Sequence, residues 1–568
     1  MSKLSKPHTL PYSEYFTTAY DMWLGKFIGG TFGANYEGFK HILDVNVEDL
    51  LPLNIVENDD TDLQILWLHA LQEHGIDLNS EQMVAEWREH VDAPWSEYGI
   101  AIANWERGIM PPKSGDVDNW FFGNGMGCPI RSEIWGIICP GMPGLAASYA
   151  KQDAELDHHE DSVQAEIFLA ALEAAAFLEK DLMKLIETGL SYIDPESRFA
   201  QMVPKVIEWC ESNSWQQVRA LILRDFGHPD FTNSPQNLGF TILALLKGDG
   251  DFVKTMNIAI NCAYDTDCTA ASAGAILNAI SGTAALPPSI RDALTDDYKI
   301  SDWMLGFPRD GSLKELTHAS CSFGLQIASR NPDLLHIPVE QEVPQIPALV
   351  VKKQDLAEIS PVEKAFPDWV VFGPYSRDWK EVSPQNTEYP DHGCDALPSL
   401  RYMTQMHSGF DTDFKDPATL SQTGLTIDAT ANDPHAHFLP AKDSRLILNG
   451  LPDAGSPCSY YAYSEFESPE DSHNWMLAGC TGPIEIWLNG KRILKSDTYQ
   501  PLNPCTFEAD LKLQSGTNRI VLKLEKTSQP VEAVVIFKKH RKRHWHQCFV
   551  NTDLNWTPLN EPSEAATL

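Results

Sequence analysis

Two short acidic clusters carry residue types suited to metal chemistry. The first is Asn58-Asp59-Asp60-Thr61-Asp62, at the head of an apolar-periodic run (62–75). The second is Asp265-Thr266-Asp267, which leads into the Ala/Gly-rich run 269–282. Carboxylate and amide oxygens are hard donors, so such clusters select Mg²⁺, Mn²⁺ or Ca²⁺ over zinc. A plainer reading stands beside this one. Acids at a helix start cap it and are stabilised by the helix dipole. Capping accounts for one or two carboxylates in the first cluster and does not require three in five positions. An aspartate heading a buried Ala/Gly helix needs hydrogen bonds, a cation or a metal. The metal reading gains force only if the fold brings the two clusters together.

The elements that must position these groups are legible from periodicity. In GKFIGGTFGANYEG (25–38), Gly25, Gly29 and Gly33 recur every four residues and share one helix face, which lets a second helix approach closely; Glu37 follows at the end. Apolar residues recur at three and four positions in 62–75, 166–189 and 269–282, so residues 12–335 read as helical. Beyond them, short alternating segments such as 483–494 and 518–526 read as strands, and Asn489-Gly490 is a hairpin signal. The expected architecture is an all-helical domain (12–335), a Pro-bearing linker (336–361) and an antiparallel β-sandwich (362–548).

The whole chain has 568 residues and a net charge of −36, which argues against nucleic acid and anionic membranes as partners. The one basic run, 538–546, reads as a solvated face or an intramolecular partner for acidic surface. Eleven cysteines without a CxxC pair read as reduced, buried thiols. The N-terminus shows no apolar signal region, and no apolar stretch reaches the roughly 20 residues that span a bilayer, so the expected location is cytoplasmic.

Four blocks in order resemble the ADP-ribosylglycohydrolase family, over roughly residues 20–290. GKFIGGTFGANYEG resembles its glycine helix ending in glutamate, and NDDT (58–61) its Thr-Asp-Asp-Thr metal motif. Residues 127–158 resemble its central Gly-x-x-Met-Arg…Pro-Gly…Asp-Ala…His stretch, and 263–282 its Gly-Gly-Asp-Thr-Asp-Thr motif with the following helix. The resemblance implies an all-α fold around two Mg²⁺ or Mn²⁺ ions. It implies Asn58, Asp59, Asp60, Asp265 and Asp267 as ligands, and Glu37 and Asp60 as catalytic carboxylates. It implies Gly127, Cys128, Arg131 and His158 as substrate contacts, with structural ion pairing as the other reading of Arg131 and a hydrogen-bonded surface histidine as that of His158. The implied activity is hydrolysis of an ADP-ribosyl or related N- or O-glycosidic bond in a small-molecule glycoside or ADP-ribosylated substrate. Asn58 and Cys268 replace threonines of the motifs, Gly30 replaces a frequent aspartate, and Ile130 replaces the usual methionine before Arg131.

The second half (370–379 and 460–526) resembles the jelly-roll modules that accompany carbohydrate-active enzymes. That leaves a sugar-binding role and a structural role open, and with them a saccharide or furanoside glycosidase whose pocket the sandwich borders, or a non-catalytic sugar- or ADP-ribose-binding protein. Trp475, Trp487 and Tyr461 are either a sugar-stacking platform or core.

Overall fold

The computed structural model describes residues 7–340, 349, 351–353, 356, 359, 364–376, 417–423, 436–451, 458–527, 530–539 and 553–559. The chain divides into two compact units: residues 1–105 with 109–358, and residues 359–568 with 106–108.

The first unit is helical, with two small strand pairs added. His8–Thr9 runs parallel to Leu335–His336, and Asp297–Lys299 is antiparallel to Asp310–Ser312. His336, the first residue of the expected linker, is therefore paired with Thr9. Most of the linker, including 341–348, lies outside the described residues.

The helix Tyr12–Gly33 is enclosed on nearly every side from Asp21 to Gly30. A β-carbon at Gly25, Gly29 or Gly33 would collide with the carbonyl oxygen of Gly274, Ala270 or Thr266 respectively. The partner positions fall by four as the glycine positions rise by four. The glycine helix and the helix Thr266–Ser281 therefore run antiparallel with their backbones in contact. Each interior glycine costs the helix about 1 kcal/mol of propensity, which the close packing offsets. The consequence for function is geometric: the end of the first helix, and Glu37 beyond it, meet the start of the helix that carries Asp267.

The third positioning element is the helix Asp59–His74. Asn58 caps it, its Oδ1 accepting from the Asp60 amide at 2.7 Å. Gln64, one turn in, locks it to the neighbouring helix Ser132–Ile138. Its amide nitrogen donates to Glu133 Oε2 at 2.9 Å, and its oxygen accepts from the Ile134 amide at 2.8 Å. Among the described residues no helix is long and apolar enough to cross a membrane.

The second unit is an antiparallel β-sandwich. One sheet has the strand order 491–496, 484–488, 516–526, 458–468, 369–376, 436–439, with 555–556 also paired to 458–468. The other has the order 507–513, 472–480, 532–539, 445–447. Their inner faces share one core, in which Phe466 meets Phe537 at 4.8 Å. Asn489 (φ 48°) and Gly490 (φ 83°) form the expected hairpin turn, both in the left-handed region that such turns demand. Tyr461 and Trp487 are buried on the outer face of the first sheet, in a cluster with Leu420 of the helix Pro417–Thr423. They are packed side chains and not an open platform. Trp475 is half-buried with the Lys538 ammonium over its ring at 5.5 Å. Of the basic run 538–546, all but Lys538 and Lys539 lie outside the described residues, as do 377–379 of the segment 370–379.

Candidate metal centre

The fold brings the two acidic clusters together. Glu37, Asp265 and Asp267 each offer an oxygen within 4.8 Å of the others. Asp60, Asp267 and Cys268 form a second group on the same criterion of proximity, so Asp267 belongs to both. Asp59 lies in neither group, although it is near enough for Asp60 and Asp267 to act on it. Burial first, then those two charges, hold it well above the usual carboxylate range.

Asp265 and Asp267 are 2% and 5% exposed, and Oδ1 of each has no hydrogen-bond partner. Burial followed by the Asp267 charge raises Asp265 well above its usual range. Burial followed by Asp60 lifts Asp267 to about 6. The Asp267 charge, then burial and Asp60, push Glu37 up to about 8, even though Glu37 is exposed as a residue and stands at the rim. Buried carboxylate oxygens without hydrogen-bond partners, gathered this closely, are hard donors. They fit Mg²⁺ or Mn²⁺.

One cation of the chain already serves the cluster. Lys26, in the middle of the glycine helix and fully buried, sits 3.3 Å from Asp60 Oδ2 and 3.0 Å from Glu133 Oε1. Burial works against its charge, and the two carboxylates overcome that and hold it protonated. The other oxygen of Asp60 accepts from the Cys268 thiol at 3.1 Å. Cys268 is thus a hydrogen-bond donor in this arrangement, and burial keeps its thiol neutral.

The sequence profile of the ADP-ribosylglycohydrolase family matches residues 11–321. The chain belongs to the ADP-ribosylglycohydrolase family. A solved structure described as an ADP-ribosylglycohydrolase-related protein complex is similar at 19% identity, over 55% of this chain and 98% of that one, with a TM-score of 0.40. A β-glucosidase from Kluyveromyces marxianus in complex with glucose is similar at 13% identity, over 19% of this chain and 14% of its own, with a TM-score of 0.15. The PA14 domain of the antifreeze protein MpAFP is similar at 9% identity, over 37% of this chain and 99% of that domain, with a TM-score of 0.19. No curated protein matches the chain. Membership supports a hydrolase of the glycohydrolase type.

Two departures from the ADP-ribosylglycohydrolase motifs meet in space. A β-carbon at Gly30 would lie 2.8 Å from Asn58 Nδ2, so glycine at 30 makes room for the asparagine amide. That amide donates to Asp267 Oδ2 at 3.3 Å while its oxygen caps the helix. Asn58 therefore sits in the centre as a cap and a prop for Asp267. A third departure lies just before Asp265. Ala263 (φ 62°) and Tyr264 (φ 68°) both occupy the left-handed region, at the two positions where the motif carries glycines. The strained turn aims Asp265 into the site.

The four expected substrate contacts are buried. Arg131 is fully buried, bridging Asp153 at 2.8 Å and Asp157 at 2.7 Å with its guanidinium over the Trp87 ring. That burial makes it an ion-pair partner, the structural reading. His158 is buried as well, 2.6 Å from Asp157 and 3.5 Å from Glu97. Gly127 is a glycine because a β-carbon there would collide with Glu97 Oε1. Cys128 is buried with its thiol 3.4 Å from the Ser162 carbonyl. These four belong to a buried frame, Arg131–Asp157–His158–Glu97, against which the loop 123–127 packs. Sequence reasoning missed Lys26 and its partner Glu133. The available signal was a lysine inside the otherwise apolar run 22–30.

Proposed function

We propose that the chain hydrolyses the N- or O-glycosidic bond of an ADP-ribosyl or related glycoside, at a centre that holds Mg²⁺ or Mn²⁺. The observation that carries this reading is the sharing of Asp267 between two groups of ligand atoms, with Oδ1 of Asp265 and of Asp267 buried and unpartnered. Glu37, Asp265 and Asp267 would hold the tighter ion. Asp60, Asp267 and Cys268 would hold a second more weakly, because Lys26 already neutralises Asp60 and a neutral thiol is a poor ligand for a hard cation. Bound metal would supply a lowered pKa for a coordinated water and an anchor for sugar hydroxyls.

The side chains divide the remaining work. Glu37 stands at the exposed rim beside Asp267, where its carboxylate takes the proton of the attacking water. Asp60 is held by Lys26 and Cys268, which fix its carboxylate beside Asp267. The ring of carboxylates favours positive charge developing on the sugar. Asn58 keeps Asp267 in register. A reducing, cytoplasmic setting fits this reading, because Cys128, Cys139, Cys262, Cys268 and Cys321 are buried free thiols.

The test is release of ADP-ribose or sugar from ADP-ribosyl-arginine, ADP-ribosyl-serine and aryl furanosides, with and without Mg²⁺. Turnover on at least one substrate that stops with chelator, and that Glu37→Gln abolishes while metal binding persists, is the expected result. Chelator-resistant turnover, or undiminished turnover in Glu37→Gln, contradicts it.

A further inference from the structure

The far half of the helix Asp59–His74 carries a second cluster of different chemistry. His69 from this helix and Glu86 and His90 from the helix Ser80–His90 each offer one ligand atom within 4.8 Å of the others. Glu86 and His90 are four residues apart and so share a helix face. All three side chains are buried, at 3%, 3% and 0% exposure. His69 Nε2 lies 3.4 Å and His90 Nε2 3.5 Å from the same oxygen, Glu86 Oε2. No hydrogen bond reaches either ring nitrogen of His69, Nε2 of His90 or Oε2 of Glu86.

The surroundings fix the orientation of these donors. His90 Nδ1 lies 3.1 Å from the Leu305 carbonyl, which can only accept, so Nδ1 carries the ring proton. The Nε2 lone pair of the neutral ring then points at a carboxylate oxygen. Two acceptors facing each other in a buried site repel unless a second ring proton or a metal cation lies between them. A histidine held by a backbone carbonyl through its other nitrogen is how metal-bound imidazoles are oriented. His74 Nε2 engages the second oxygen of Glu86 at 2.8 Å and leaves Oε2 to the cluster. Zinc bonds of about 2.0–2.1 Å give tetrahedral ligand–ligand edges of about 3.3–3.4 Å. The separations of 3.4 and 3.5 Å are close to those edges. Phe307 packs edge-on against both His69 and His90, with centroids 5.5 Å away, and closes an apolar side.

We propose that His69, Glu86 and His90 bind one Zn²⁺ ion that staples the helix Asp59–His74 to the helix Ser80–His90. The two-imidazole, one-carboxylate donor set selects a zinc-class ion, where the all-oxygen group at the other end of the helix selects Mg²⁺ or Mn²⁺. Asp60 and His69 are nine residues apart on one helix, about 14 Å at 1.5 Å per residue, so the two sites do not compete for ligands. The fourth tetrahedral position is left for water, and the partly exposed His74 borders the cluster.

The experiment uses the full chain, stripped with chelator and incubated with Zn²⁺ in excess Mg²⁺, then freed of unbound metal and assayed for zinc. The expected result is one zinc per chain. Glu86→Gln and His90→Gln should each weaken binding at least tenfold while keeping the Mn²⁺-induced rise in melting temperature, which shows that they fold. Asp267→Asn should retain its zinc. Co²⁺ in place of Zn²⁺ in the unaltered chain should give the visible bands of a four-coordinate site without thiolate charge transfer. Failure of the unaltered chain to retain zinc overturns the proposal, as does undiminished zinc in both Glu86→Gln and His90→Gln. Loss of zinc in Asp267→Asn with a thiolate–cobalt band also overturns it, by placing the ion at Cys268.

Discussion

Thr266 Oγ1 donates a 2.8 Å hydrogen bond to the carbonyl oxygen of Gly33. This bond ties the last turn of the glycine helix to the first turn of the helix bearing Asp267. It sits where a β-carbon at Gly33 would strike the Thr266 backbone. The same close backbone packing therefore brings Glu37 and Asp267 together.

Gly33→Ala should separate the two helices at the site itself. Overpacking of this kind costs about 1–3 kcal/mol. Urea unfolding should show that loss, and Mn²⁺ affinity should fall at least tenfold. An alanine variant with unchanged stability and affinity would contradict the packing account.

Lys26→Met should be among the most damaging single changes in the first unit. It leaves Asp60 and Glu133 buried without their cation, and breaking a buried pair in this way costs about 3–5 kcal/mol. Adding Glu133→Gln should recover part of the loss in denaturant unfolding. If the double variant is no more stable than the single one, the ion pair with Glu133 is not the source of the damage.

Ala263→Gly should stabilise the chain, although glycine usually loosens it. Ala263 has a φ of 62°, a region that costs an L-residue about 1–2 kcal/mol. After glycine's own entropic cost, a gain of about 0.5–1 kcal/mol should appear in thermal or urea unfolding. A loss of stability would show that the turn is not strained at this position.

The buried frame predicts a pH dependence. Burial would lower His158, but the Asp157 carboxylate beside it prevails and lifts it from 6.5 to about 8. Burial would raise Asp157, but Arg131 and His158 prevail and hold it down from 3.8 to about 2. The His158 contribution is complete below pH 6.5 and is lost as pH rises through 8. The Asp157 contribution is complete above pH 3.8 and is lost as pH falls toward 2. At about 1.4 kcal/mol per pH unit, the histidine is worth about 2 kcal/mol. The stability gap between the unaltered chain and His158→Gln should narrow by that amount between pH 6 and 8.5. A gap independent of pH would mean that His158 is not charged in the fold.

The acidic clusters were legible because their signal is local: Asp59 and Asp60 are adjacent, Asp265 and Asp267 are two apart, and both pairs mark a helix start. The glycine face was legible because a repeat of four is a helix repeat, and Asn489-Gly490 because few other residues accept its backbone. Lys26 was not, since its partners come from two distant helices and no spacing links them. His69 was hidden for the same reason, with only Glu86 and His90 in helical register. Arg131 and His158 were read toward substrate because their positions match a motif. The motif carries position along the chain and not burial, and both side chains face inward. Trp487 and Tyr461 were ambiguous because alternation tells which face of a strand a residue occupies and not whether a helix covers that face.

The central claim is that Asp267 joins the two acidic clusters into one cation-binding centre. Titration of Mn²⁺ into the metal-free full chain, followed by the paramagnetic signal of unbound Mn²⁺, addresses it most directly. The account predicts saturable binding that Asp267→Asn abolishes at both the tighter and the weaker position, while Asp59→Asn weakens it less. Unchanged Mn²⁺ affinity in Asp267→Asn would contradict it.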